Sequence, residues 1–424
     1  MSSDIVDDYL RLGLAFDRLE PGFVDAYTGD PGLRAEVENA PAPDPKDLAR
    51  RCRELIGRIS TSSISGQGGS ISGADRAEFL RSHLVALECS ARTFAGEQIG
   101  FVDEVAAYFD VHIRRGDEDV YADAHARLAD ALGVPGLRGA ALRDAYQAYR
   151  RSDEIPTDLI RPLVDEISGA LRDVVRARFP LPAVETVEFE IVGDKPWSGF
   201  NYYLGDYRSK VAINTDLPQY MSVLPGLVAH EAYPGHHTEH CRKEQRLVGA
   251  GYDEHSIFLV NTPQCLMAEG LADHALAAAM GDGWTWWAAE IYADFGLRFD
   301  AERAAAISAA TAGLLHVRQD AALMLHDEGR STDDVAGFLE RWLLAPPDRA
   351  RQMLRFLTSP LWRAYTSTYV EGYELLGAWL DMWEARGESR LDTFGRLLDE
   401  PLTPAALRSA LRQAPESGPL DSLP

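Results

Sequence analysis

His230-Glu231-Ala232-Tyr233-Pro234-Gly235-His236-His237 is the stretch on which the reading of this 424-residue chain turns. Four of the eleven histidines fall between positions 230 and 240, namely His230, His236, His237 and His240. The apolar Leu227-Val228-Ala229 leads into the first of them, as an inward-facing helical turn does. Neutral imidazoles bind zinc, and a carboxylate beside the first ligand can take the proton of a water activated there. The pattern points to a zinc-dependent hydrolase with His230 as a ligand and Glu231 as its base.

The spacing is unusual. Zinc hydrolases commonly carry His-Glu-x-x-His, with both ligands on one helical face. Here the second histidine comes later, and residue 234 is proline. On a straight helix His236 would lie about 120° round from His230. His237 would return to within about 20°, but roughly 10 Å along the axis. Pro234 lacks an N–H and clashes with the carbonyl four residues back, while Gly235 opens backbone angles closed to other residues. The helix over 224–245 is therefore expected to break or bulge at Tyr233–Gly235, delivering His236 to the metal, with His237 as the fallback. The third ligand is expected to be Glu269, within Met267-Ala268-Glu269-Gly270-Leu271-Ala272-Asp273-His274. It lies among apolar neighbours, where an unpaired carboxylate is costly and a metal partner explains it. Asp273 follows one helical turn later, on the face that lets it orient a ligand histidine.

Residues 230–237, the later Ala268-Glu269-Gly270 and a C-terminal Tyr-x-x-Gly together resemble the bacterial family called domain of unknown function 885. That family's pattern is His-Glu-x-x-Pro-Gly-His-His, then a Glu-Gly-Trp-Ala-like stretch. Leu271 stands where the family commonly has Trp. The likeness runs over about residues 185–380. It implies a mostly α, large helical zincin-like (gluzincin) fold similar to the Taq-type carboxypeptidases. It also implies a Zn2+ cofactor and carboxypeptidase-like cleavage of a peptide. A small non-peptide amide is the alternative substrate, and a metal-binding protein without catalysis the alternative function. Gluzincin-like peptidases stabilise the oxyanion with a tyrosine hydroxyl. Tyr369 is the first candidate and Tyr373 the second, on a helix where Tyr365, Tyr369 and Gly372 share a stripe. Arg351, Arg355 and Arg363 are candidates for holding a substrate carboxylate, and nothing in the sequence separates them.

Elsewhere the periodicity is mostly helical. Helices are expected at 3–19, 46–60 and 74–96, several over 100–180, and more at 264–280, 284–325, 331–344, 347–356 and 361–385. Thr186–Val192 alternates with period two, and Phe200–Leu204 and Lys210–Ile213 are two further short strands, so one small antiparallel sheet is expected beside the metal helix. In Gly66-Gln67-Gly68-Gly69 no Lys-Ser/Thr follows, so a loop is expected there, not a phosphate cradle. Residues 1–182 read as an N-terminal helical part and 183–424 as the metal-site part of one continuous domain.

Composition bounds the rest. The net charge is -24, from 42 Lys plus Arg against 66 Asp plus Glu, a surface that repels phosphate backbones. Nucleic acid is not expected as a partner. No run of residues approaches a membrane span, and Met1–Asp8 lacks the basic and apolar regions of a signal peptide. Cys52, Cys89, Cys241 and Cys265 form no CxxC pair and read as reduced thiols. A cytoplasmic location is expected.

Overall fold

The computed structural model describes residues 2–59, 72–195, 197–216 and 218–413, and the loop expected at 66–69 lies outside them. The fold is mostly α with small sheets. The helices begin where their sequences supply caps. Asp30, Asp44 and Ser72 each accept a backbone N–H at the first turn of the helix that follows, the last of these being Gly73–Phe94.

The described residues form five strands: β1 (Val24–Tyr27), β2 (Thr186–Val192), β3 (Gly199–Gly205), β4 (Arg208–Asn214) and β5 (Ile257–Leu259). They correct the expectation of one antiparallel sheet. β2, β4 and β3 form a sheet in that order, with β3–β4 antiparallel and β2–β4 parallel. Between β3 and β4, Asp206 and Tyr207 both adopt positive φ, the twist of a tight hairpin. The chain has already turned once between β2 and β3, so β2 runs alongside β4. Period-two alternation reports burial on one face and carries no strand direction. β1 and β5 form a second, antiparallel pair, too short for alternation to reveal.

There are two large apolar cores, and the helix Pro263–Met280 belongs to the larger. The larger gathers Leu224, Val228, Tyr233, Cys241, Ala268 and Leu271 with helices from both ends of the chain. The second joins the N-terminal helices to Ile257, Leu259 and Leu361. A buried ion pair fixes this joint, with Arg76 donating to both oxygens of Glu254 at 2.6 and 2.7 Å. Leaving either partner alone at such depth would be strongly destabilising.

Among the described residues, no helix is long and apolar enough to cross a membrane. The four cysteines are unpaired and buried.

Candidate metal centre

The helix that begins at Leu224 ends at Glu231, and a second begins at His236. The break at Ala232–Gly235 is where Pro234 and Gly235 lead one to expect it. Gly235 has no alternative, because a Cβ there would stand 2.0 Å from the carbonyl oxygen of His230 and 2.4 Å from that of Ala229. The broken turn leaves little unsatisfied. Gly235 N–H donates to Ala229 O, and the N–H and hydroxyl of Thr238 both donate to Ala232 O.

This geometry turns His236 back onto His230. Their Nε2 atoms are 3.1 Å apart. Glu269, from the helix Pro263–Met280, closes the group, with Oε2 3.4 Å from His230 Nε2 and Oε1 3.5 Å from His236 Nε2. One ligand atom from each of the three lies within 4.8 Å of the others. Glu269 Oε2 is buried and has no hydrogen-bond partner, an orphan that a cation would satisfy. Two imidazoles and a carboxylate form a donor set that suits zinc with a position left open.

Surrounding groups aim these side chains. Asp273 Oδ1 is 3.0 Å from His230 Nδ1, so His230 turns Nε2 toward the centre. His237 faces the other way. Its Nδ1 lies 2.8 Å from Ser209 Oγ on β4 and its Nε2 3.1 Å from Glu185 Oε2. Glu185 also accepts from Tyr233 and Arg172, at 2.7 Å each. Burial opposes its charge, yet these donors hold it well below the usual carboxylate range. Burial lowers the pKa of His237. His237, the fallback ligand, instead ties the second helix to the sheet.

Glu231 stands beside the group. It is buried, and its carboxylate accepts no hydrogen bond among the described residues. Burial raises its pKa, against the pull of His230 and His236. Space for it depends on Gly199 of β3, where a Cβ would come 2.9 Å from Glu231 Oε1. Asn201 of the same strand donates to the Glu231 carbonyl at 2.6 Å. Without a metal, burial works against protonation of the histidines, but Asp273 and Glu269 raise His230 and Glu239 and Glu269 raise His236 to about 10.

The tyrosine segment reaches the site through two glycines. A Cβ on Gly270 would stand 2.6 Å from the backbone of Gly372, and one on Gly372 would stand 2.6 Å from Leu266 O. Gly372 closes a π-helical turn, Thr368–Gly372. The close crossing sets Tyr365 and Tyr369 against Glu269. Tyr365 donates to Glu269 Oε1 at 2.6 Å, and Tyr369 lines the cavity in front of the histidines. Tyr373 does not reach it, which corrects its candidacy. The wide turn carries it to the far side, where it stacks on His274 at 4.3 Å, 38% exposed. Of the three arginine candidates, Arg363 pairs with Glu104 at 2.7 Å and Arg351 with Asp348 at 2.6 Å. Arg355 alone lines the cavity.

The cavity holds about 390 Å³ and is walled by Trp197, Phe200, Phe258, Phe356 and Trp362 as well as the polar residues. One wall escaped the sequence reading. Asp25 sits at the register shift between Val24 and Ala26, whose side chains are buried, and it lines the cavity. A bulge re-aims one side chain of a strand in this way. Burial raises Asp25 to about 7, with His236 opposing and Glu269 and Glu231 reinforcing. The only sequence signal was a lone Asp between apolar residues in a four-residue strand.

No family model matches the chain, and no curated protein matches it. Solved structures do. A candidate lipoprotein from Colwellia psychrerythraea aligns at a TM-score of 0.51 and 13% identity, covering 90% of this chain and 69% of its own. A candidate lipoprotein of unknown function from Shewanella oneidensis aligns at 0.50 and 11%, covering 90% and 76%. An M32 carboxypeptidase from Deinococcus radiodurans R1 aligns over 97% of this chain and 94% of its own, at 14% identity and a TM-score of 0.39. The first two place the chain in a shared helical fold, and the third is too distant to add to that.

Proposed function

We propose that this protein is a zinc-dependent hydrolase of the metallopeptidase type, with His230, His236 and Glu269 as the metal ligands. The observation that carries the reading is a buried, unpaired Glu231 carboxylate beside three converging donor atoms in one cavity. A metal-storage site has no use for that carboxylate. Zinc held there would supply a Lewis acid that acidifies water and polarises a scissile carbonyl. Glu231 accepts the water's proton and passes it to the leaving amine, a task for which burial has raised its pKa. Asp273 fixes the ring of His230. Tyr369 has a free hydroxyl in the cavity and donates to the carbonyl oxygen as negative charge develops. Tyr365 is already committed to Glu269 and orients that ligand.

A peptide is the substrate this cavity suits. β3 is an edge strand of its sheet, and Gly199, Phe200 and Asn201 on it wall the cavity. An extended peptide can pair with such an edge. Arg355 is placed to hold a carboxylate, which favours carboxypeptidase-like action. The unpaired, buried cysteines accord with a reducing, cytoplasmic setting.

The test is Glu231→Gln. Zinc, read by elemental analysis, should stay near one equivalent while hydrolysis of a mixed peptide pool falls by about 10²–10⁴-fold. Unchanged activity would exclude Glu231 as the base. Zinc bound by the wild type with no cleavage of any peptide would leave a metal-binding protein.

A further inference from the structure

A second cavity, of about 960 Å³, opens beside the metal site and shares Arg355 and Tyr369 with it. It is lined by Arg150, Arg318, Arg349, Arg355 and Lys195. In a chain of net charge -24 such a gathering is against the odds. None of the four arginines has a carboxylate partner among the described residues. The two acids on the cavity wall are engaged elsewhere. Asp348 pairs with Arg351 at 2.6 Å, and Asp216 accepts backbone N–H groups of Asp194 and Lys195.

Two of the guanidiniums, those of Arg150 and Arg349, are held in place without being neutralised. Arg150 stacks on Tyr220, its carbon 3.5 Å from the ring centroid. Arg349 donates to Gln352 at 2.8 Å. Burial lowers the pKa of Arg349, and Arg318 and Arg150 add like-charge repulsion. Burial lowers that of Arg318 too. Like charges brought together at such cost mark a place for an anion, and a fixed guanidinium fork matches a carboxylate.

We propose that this pocket receives the acidic part of the substrate, a peptide segment bearing two or more carboxylates. This rests on the peptidase reading of the metal site, and it names the substrate class. The scissile bond would lie at the histidines and the acidic residues beyond Tyr369, where the two cavities meet.

Calorimetry on zinc-loaded, full-length Glu231→Gln protein tests it without loss of the probe to cleavage. Tri-glutamate should bind about 10–100-fold tighter than tri-glutamine, as two or more charge-assisted hydrogen bonds allow, and rising salt should shrink the difference. Arg150→Gln, Arg318→Gln and Arg349→Gln, each checked for an unchanged melting profile, should each remove most of it. Equal binding of the two peptides, or a preference intact in all three variants, would overturn the proposal. So would inorganic phosphate binding more tightly than tri-glutamate, which would assign the pocket to a phosphate group. The two readings fail separately. A preference for tri-glutamate with no cleavage by wild type would remove the peptidase reading and keep the pocket. Cleavage of neutral and acidic peptides at equal kcat/KM would do the reverse.

Discussion

At the scale of single residues, the proposed metal centre would set a cation against protons. Against the opposing effect of burial, Asp273 and Glu269 raise the pKa of His230, and Glu239 and Glu269 raise that of His236 to about 10, which favours protons on these rings. Zinc must displace those protons, so affinity should rise with pH. A chelator competition at pH 6 and pH 8 is expected to show tighter zinc at pH 8, and equal affinity would contradict the proposed ligands. Asp273→Asn keeps the shape but weakens the acceptor that aims His230, and zinc affinity should fall about 10–100-fold. His237→Ala should act differently. It strips a partner from the buried Glu185 network and leaves the ligands alone, so thermal stability drops while zinc content holds. Empty sites in that variant would place His237 on the metal.

At the scale of elements, the site depends on two departures from regular helix. One is the break that turns His236 onto His230; the other is the π-turn that sets Tyr369 in the cavity and Tyr373 outside it. The first was legible, because Pro234 and Gly235 between His230 and His236 disclose their own geometry. The second was not. A stripe computed at 100° per residue fails as soon as one wider turn intervenes, and nothing in Tyr365–Tyr373 announces it. Asp25 was hidden for a related reason, since a bulge in a four-residue strand leaves no periodic trace. The Glu-Gly and Tyr-x-x-Gly motifs now have a steric account, the contact between Gly270 and Gly372. Gly270→Ala should cost about 1–3 kcal/mol, because backbone must retreat to admit a methyl group. It should also lower kcat while zinc content is retained, as the crossing carries Tyr369. Calorimetric melting together with steady-state rates will check both halves.

For the whole molecule, helix content and the grouping of His230, His236 and Glu269 could be read from the sequence. Cavities could not, because the four arginines span positions 150 to 355 and only the fold brings them together. Buried histidines make global stability depend on pH. His83 is fully buried, with Nδ1 2.8 Å from Phe79 O, and burial pushes its pKa down to about 4; burial holds His255 well below normal as well. An unfolded chain takes these protons near pH 6.5 and the folded chain does not. Between about pH 6.5 and 4 the unfolded state therefore binds more protons, and stability falls as pH falls. The melting temperature should decline across that window, with a shallower slope in His83→Gln.

The contrast between the acidic exterior and the arginine pocket also bears on the speed of encounter. An anion approaching from bulk solvent meets the field of 24 surplus negative charges before it meets the arginines. At low ionic strength that field slows diffusion toward the molecule. At about 0.1 M salt it is screened beyond roughly 10 Å, while contacts inside the pocket are screened less. Association of tri-glutamate should then quicken as salt is added even though equilibrium binding weakens, so that dissociation accelerates more than arrival does. The pocket would capture slowly and hold firmly in dilute buffer, and exchange its ligand rapidly at the ionic strength of a cell.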